Sequence, residues 1–195
     1  PMHRWCLPHR GNLPLFLGSD PLFSRENRVP LPRCDLIGFS LLSELNFTNL
    51  LLALRLAGLA SRSADRPGPG PLVGAGGIAA ANPEPLRDFV DFFALGDGET
   101  LFPDLIEALD RAKRAGTPKP GVLQVLDDIP GVYVPALHPV RRNGLFLVPD
   151  LGGRTVRKRI IPTLKAGPDQ AVEIVPIGDV VFNRLNVEIA RGCPQ

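Results

Sequence analysis

"DLIGFSLLSELNFTNLLLALRLAG", Asp35 to Gly58, changes its period halfway along. The opening DLIGFS, Asp35 to Ser40, is a short apolar run of the buried-strand type. From Glu44 onward the apolar residues Leu45, Leu50, Leu51, Leu54 and Ala57 fall on one face of a helix. Ser43 is expected to cap that helix at its start and Gly58 to end it. A strand running directly into a helix invites a search for more such units downstream.

Two more follow. PLVGAGG, from Pro71, reads as a second strand and leads into NPEPLRDFV, where Asn82 suits an N-cap and Pro83 a first helical position. DFFALGDGE, from Asp91, is a third buried strand that ends in a glycine-rich turn. It is followed by TLFPDLIEALDRAKRAG, an amphipathic helix with Leu101, Leu105, Leu109 and Ala112 along one stripe and Gly116 as its stop. Three strands alternating with three helices predict a parallel sheet with right-handed crossovers, covered on both faces.

The flanks are less regular. Residues 1–34 are rich in Pro, Arg and isolated apolar residues, with LPLFLG and PLFSRENRVPL as the strand-like pieces. After Gly116 the helical period vanishes, and GVYVPAL, LFLVPD, RTVRKRIIP and AVEIVPIGD read as extended segments punctuated by Pro and Gly. The last piece, DVVFNRLNVEIARGC, opens something new: Val187 to Ala190 alternate in polarity like a half-buried strand, and Arg191-Gly192 turns the chain to deliver Cys193 at its tip.

Composition bounds the function. The 195 residues are 44% hydrophobic, enough for a real core, and the 22 prolines and 20 glycines point to many turns and extended connections. No apolar run reaches the roughly 18 residues of a membrane span, and the start does not read as a signal peptide, so the expected location is the cytoplasm and no membrane partner is expected. Cys6, Cys34 and Cys193 are too few and too scattered for a disulfide framework or a zinc site.

Net charge is only +2, but it is segregated: from Glu84 to Asp110 eight acids face one base, and from Arg141 to Lys165 seven bases face one acid. The basic stretch is a candidate surface for RNA or another anion, against the plainer reading of a solvated strand pair.

In parallel sheets ligands bind beyond the carboxyl ends of the strands. Here those ends are Ser40-Leu41-Leu42, Gly74 to Gly77, and Gly96-Asp97-Gly98-Glu99. Ser40 is placed to hydrogen-bond a cofactor or to satisfy its own turn. The GAGG turn invites a dinucleotide reading, yet the full G-x-G-x-x-G is absent and no acid follows at the right place, which leaves packing glycines as the alternative. Asp97 and Glu99 are a carboxylate pair in a glycine turn, placed to hold a polar ligand, to position a proton or to complement the dipole of the following helix. His3, His9 and His138 have no metal-ligand partner at suitable spacing.

The order of CDLIGFSLLSELNFTNLLLALRLAG, PLVGAGGIAAANPEPLRDFVDFFALGDGE and NRLNVEIARGC resembles the cobalamin-binding-domain-containing radical SAM proteins, in the subgroup whose helix starts E-L-x-[FY]-T-N. The resemblance runs from Leu22 to the end. It implies an α/β fold: an irregular segment 1–34, a Rossmann-like parallel sheet of cobalamin-binding type over 35–118 that is incomplete at its N-terminus, an extended β linker over 119–178, and the first strand of a radical SAM partial barrel over 179–195.

It further implies that Ser40 and Leu42 match the family's S-x-L and Gly76-Gly77 its glycine pair, the motifs that contact the nucleotide tail of cobalamin. Cys193 matches the first cysteine of C-x3-C-x2-C, whose thiolates hold a [4Fe-4S] cluster with one iron open to S-adenosylmethionine. The chain would then stop inside the cluster loop, as a fragment of a longer enzyme with an unidentified substrate. Gly96, Asp97 and Glu99 remain candidate cofactor contacts. The alternatives are a cofactor-free α/β binding module and a nicotinamide-dependent oxidoreductase.

Overall fold

The computed structural model describes residues 22–24, 27–68, 70–150 and 155–163. The chain divides into two compact units, Pro1–Arg159 and Ile160–Gln195, and every element below belongs to the first. In chain order these are β1 (Leu36–Ser40), α1 (Asn46–Leu56), β2 (Leu72–Gly76), β3 (Phe92–Ala94), α2 (Gly98–Arg114), α3 (Lys119–Asp127), β4 (Val132–Tyr133), β5 (Val140–Asn143) and β6 (Phe146–Pro149).

The main sheet has the order β1-β2-β3-β4. β1, β2 and β3 run parallel, with Ser40 opposite Gly76 and Gly76 opposite Ala94; β4 closes the edge antiparallel, with Tyr133 opposite Phe93. Strand periodicity sorts the side chains into two faces. Val73, Ala75 and Phe93 point toward Leu50 and Leu54 of α1, whereas Leu72 and Phe92 meet Leu101 and Leu105 of α2 and Leu123 and Leu126 of α3. A third cluster seats Leu22 and Leu31 against Ile37 and the end of α1 at Leu56 and Ala57. Phe93 is fully buried, and burying such a side chain contributes about 1.5–3 kcal/mol.

The expected helices at 44–58 and 100–116 are present, and their glycine stops work as read. Leu59 N–H bonds Leu54 O after Gly58, and Thr117 N–H bonds Ala112 O after Gly116, the closing bond of a Schellman turn in each case. The start of α1 differs from expectation. Ser43 does not cap it; Leu45 occupies the cap position without a side-chain bond, and the Asn46 amide oxygen accepts from the N–H groups of Leu42 and Ser43 at 3.2 Å instead.

Two further corrections have physical causes. Asn82-Pro83 does not open an α-helix: the connection holds 3-10 turns, Ile78–Ala81 and Glu84–Leu86, and the chain enters β3 at Phe92 before a longer helix can form. Conversely, residues 119–127 form a helix where the sequence reads as a break. Pro120 lies in the first helical turn, where its missing N–H leaves no bond unmade, and Val122, Leu123 and Leu126 are buried. With β4, this helix continues the α/β layers beyond residue 118. Of the extended segments, 140–143 and 146–149 form a hairpin, and AVEIVPIGD lies outside the described residues.

The amino-terminal ends of β2 and β3 are joined through Asp91, whose side chain is fully buried. Its Oδ2 accepts the Val73 N–H at 2.7 Å, and its Oδ1 accepts Lys119 Nζ at 2.8 Å and the Ser63 hydroxyl. Arg66 Nη2 stands 3.5 Å from Oδ2, and the same guanidinium donates to the carbonyls of Ala60, Ser61 and Phe89 at 2.7–2.8 Å. Lys119 also donates to Arg66 O at 2.8 Å. A buried ion pair gains little over an apolar packing of the same shape, but removing one partner strands the other charge. Asp91→Ala is therefore expected to lower unfolding free energy by about 3–5 kcal/mol, read as a drop in the urea midpoint.

Candidate functional site

The register of the sheet brings the sequence-nominated tips into one row: Ser40 ends β1 beside Gly76 at the end of β2, and β3 runs on into Gly96 and Asp97. Ser40 is exposed, and so is Leu42 just beyond it. The loops after β1 and β2 are stitched together by main-chain bonds, Leu41 N–H to Gly76 O at 2.7 Å and Ala79 N–H to Leu41 O at 3.0 Å. Their outer surface is apolar: Leu42, Leu45 and Ile78 are 72%, 84% and 81% exposed.

The glycines at these tips serve close approaches within the chain. Gly77 has φ +97°, and a Cβ there would lie 2.6 Å from the carbonyl oxygen of Leu41. Gly74 admits the Phe92 ring, which a Cβ would meet at 2.4 Å. Both positions therefore demand glycine without any ligand, as packing glycines do. In addition, β1, β2 and β3 progress across the sheet in one direction, so no reversal of strand order opens a crevice among the described residues. Intrachain packing thus accounts for Gly74 and Gly77 of the GAGG turn without a ligand.

Gly96, Asp97 and Glu99 lie where α2 begins. Asp97 is the N-cap residue of α2, its side chain making no cap bond, and Glu99 stands in the first turn, where a carboxylate complements the helix dipole. Above them lies Arg159, whose main chain pairs with Gly96 and whose guanidinium reaches Thr100 O at 2.8 Å and Asp104 at 2.5 Å. That guanidinium is committed to an acid of its own domain. Of the basic stretch, Arg141, Arg142, Arg157 and Lys158 are exposed.

Cys193 and Cys6 lie outside the described residues. Among the described residues no three His, Cys, Asp or Glu side chains converge as a metal site. Cys34 is half-buried, with Sγ 4.0 Å from Pro30 O, and burial, then the nearby Asp35 charge, push its thiol pKa up, which keeps it protonated and slow as a nucleophile. No described helix is long and apolar enough to cross a membrane.

Sequence reading missed the polar network at the antiparallel edge. His138, assigned no role from its loop, is buried with Nε2 2.9 Å from Asp127 Oδ2, and its ring stacks on Tyr133 at 5.6 Å. The Tyr133 hydroxyl donates to Glu84 at 2.9 Å, and Glu84 pairs with Arg87, which also donates to the carbonyls of Pro135 and His138. Spacings of 11 and 49 residues carry no local signal. The donors and acceptors are matched to one another, so the network ties the 84–87 turn to β4 and to the turn after it.

A family model for the N-terminal region of radical SAM proteins matches residues 16–135, well over half of the chain. No curated protein and no solved structure matches the chain.

The Tyr133 network supplies a pH signature. Burial first, and the Glu84 hydrogen bond second, raise the phenol pKa above the ordinary tyrosine range. A folded-state pKa above the unfolded one adds stability that is fully present below about pH 10 and is lost as pH rises toward the folded value. Tyr133→Phe is expected to flatten the alkaline decline of stability above about pH 10, measured by urea unfolding at a series of pH values.

Proposed function

The chain belongs to the family of radical SAM N-terminal regions, and on that premise we propose that it is the accessory domain of an enzyme that uses a [4Fe-4S] cluster to cleave S-adenosylmethionine. What supports this reading is the coincidence of the matched span with the sheet: residues 16–135 contain all four strands of the main sheet, from Leu36 to Tyr133. In this reading Cys193 supplies one thiolate to the cluster, and the four-stranded domain stands before the catalytic barrel. A [4Fe-4S] cluster with one open iron supplies, when bound, an electron to the sulfonium of S-adenosylmethionine. The substrate is an unidentified small molecule or macromolecule that the catalytic barrel selects.

The gene downstream of Gln195 is expected to encode two further cysteines that complete C-x3-C-x2-C from Cys193. The full-length polypeptide, reconstituted anaerobically with iron and sulfide, is expected to take up the brown colour of a cluster, and Cys193→Ala to lose it. A stop codon directly after Gln195 in the intact gene, or full colour in the variant, would overturn the reading.

For the accessory domain itself, the cofactor-free form is favoured over the corrinoid-binding form. Gly77 faces the Leu41 main chain, and the edge above it presents Leu42, Leu45 and Ile78. An edge of this kind suits contact with protein or an apolar substrate group better than with a phosphate-bearing tail. Hydroxocobalamin mixed with the protein is expected to separate from it on gel filtration with its visible spectrum unchanged. Co-elution with a shifted spectrum is the result that would restore the corrinoid.

A further inference from the structure

Over β3 the position that parallel sheets ordinarily offer to a ligand is taken by the chain itself. Arg159 N–H donates to Leu95 O at 2.9 Å, and Asp97 N–H donates back to Arg159 O at 2.8 Å, so residue 159 adds a parallel rung to the end of the strand. The backbone around it leaves room for it. Gly96 has φ +110°, and a Cβ there would collide with the Arg159 carbonyl; at Gly131, φ +93°, a Cβ would lie 3.0 Å from Leu95 O and 3.4 Å from Arg159 Cβ. Two glycines from different loops, both in the left-handed region, thus border one residue.

The side chains hold what the backbone admits. The Arg159 guanidinium donates to Thr100 O and to the Asp104 carboxylate in the first two turns of α2, the latter a charge-assisted pair. Three residues earlier Val156 packs on the core cluster beneath α1 that includes Phe93. Between them Arg157 and Lys158 are exposed. A shallow cavity of about 390 Å³ remains between Thr155–Arg157 and the turn at Asp128–Gly131, so the segment spans its gap at two anchor points without filling it.

We propose that residues 155–159 form an occluding strap: an internal occupant of the carboxyl end of β3 that closes this tip to ligands and pins the chain, at Arg159, to the domain it is about to leave. The strap explains why Gly96 is glycine and why an arginine lies beside Asp104. It stands on the contacts of Val156 and Arg159 and holds whatever chemistry the enzyme performs. The nominated residues Gly96, Asp97 and Glu99 then belong to the latch and to the start of α2.

Hydrogen exchange and limited trypsin digestion of the 195-residue chain test this. In the native chain the amides of Asp97 and Arg159 are expected to be protected, and cleavage after Arg157 and Lys158 to be slow despite their exposure. Arg159→Ala removes the guanidinium tie; it is expected to raise exchange at Asp97 and cleavage after Arg157 and Lys158 by about tenfold, with exchange at Phe93 unchanged as the mark of an intact sheet. Gly96→Val, which also bars the backbone rung, is expected to have the larger effect in the same direction. Wild-type amides of Asp97 and Arg159 that exchange as fast as an unstructured peptide, or an Arg159→Ala chain with unchanged protection and cleavage, would overturn the strap.

Discussion

Asp91 is the point at which the separate parts of this domain become one. Its carboxylate binds the amide of Val73 in the neighbouring strand, the hydroxyl of Ser63 and the ammonium of Lys119 at the start of α3, with the Arg66 guanidinium alongside. The residue stands immediately before β3, so these bonds set how β3 sits beside β2 and clamp the long connection between α1 and β2. A buried charge tolerates no loose geometry, because any unpaired position leaves a desolvated group without compensation. The register that aligns Ser40, Gly76 and Ala94 at the far end of the sheet begins from this clamp.

The two ends of the sheet are therefore different in kind. At the amino end the polar groups are buried and bonded among themselves except for the Arg66 Nε, and at the antiparallel edge Asp127, His138, Tyr133, Glu84 and Arg87 form a second network. At the carboxyl end the loops are joined by main-chain bonds and capped by exposed leucine and isoleucine, while the tip of β3 is covered by Arg159.

The local elements were legible because local physics makes them. The stripe Leu101, Leu105 and Ala112 has helical spacing, Gly58 and Gly116 admit the left-handed turn that ends a helix, and DLIGFS and DFFAL are apolar runs of strand length. Where two local signals competed, the reading failed. Asn82 and Pro83 supported a helix start, but only a 3-10 turn fits before β3; after Gly116 the helical period read as lost, although Pro120 lies in a first helical turn, where a proline leaves no bond unmade. Ser43 has the right chemistry for a cap, yet the Asn46 amide oxygen took over the loop because Leu41 was already bound to the neighbouring strand.

The sequence by itself determined a mixed α/β domain with three strands in a parallel sheet, and the order of its motifs resembled that of radical SAM proteins, the family whose N-terminal model matches it. The strands and helices rest on neighbours within a few residues, whose periodicity is written in the chain, whereas the family rests on a resemblance in the order of its motifs. The tertiary structure alone decided that β4 closes the sheet antiparallel, that Asp91 meets Lys119 and His138 meets Asp127, and that Gly77 and Gly96 hold main chain where a ligand was expected. Each of these pairs groups whose positions are set by packing across layers, and a one-dimensional pattern does not encode which side chain a distant loop will bring within 3 Å.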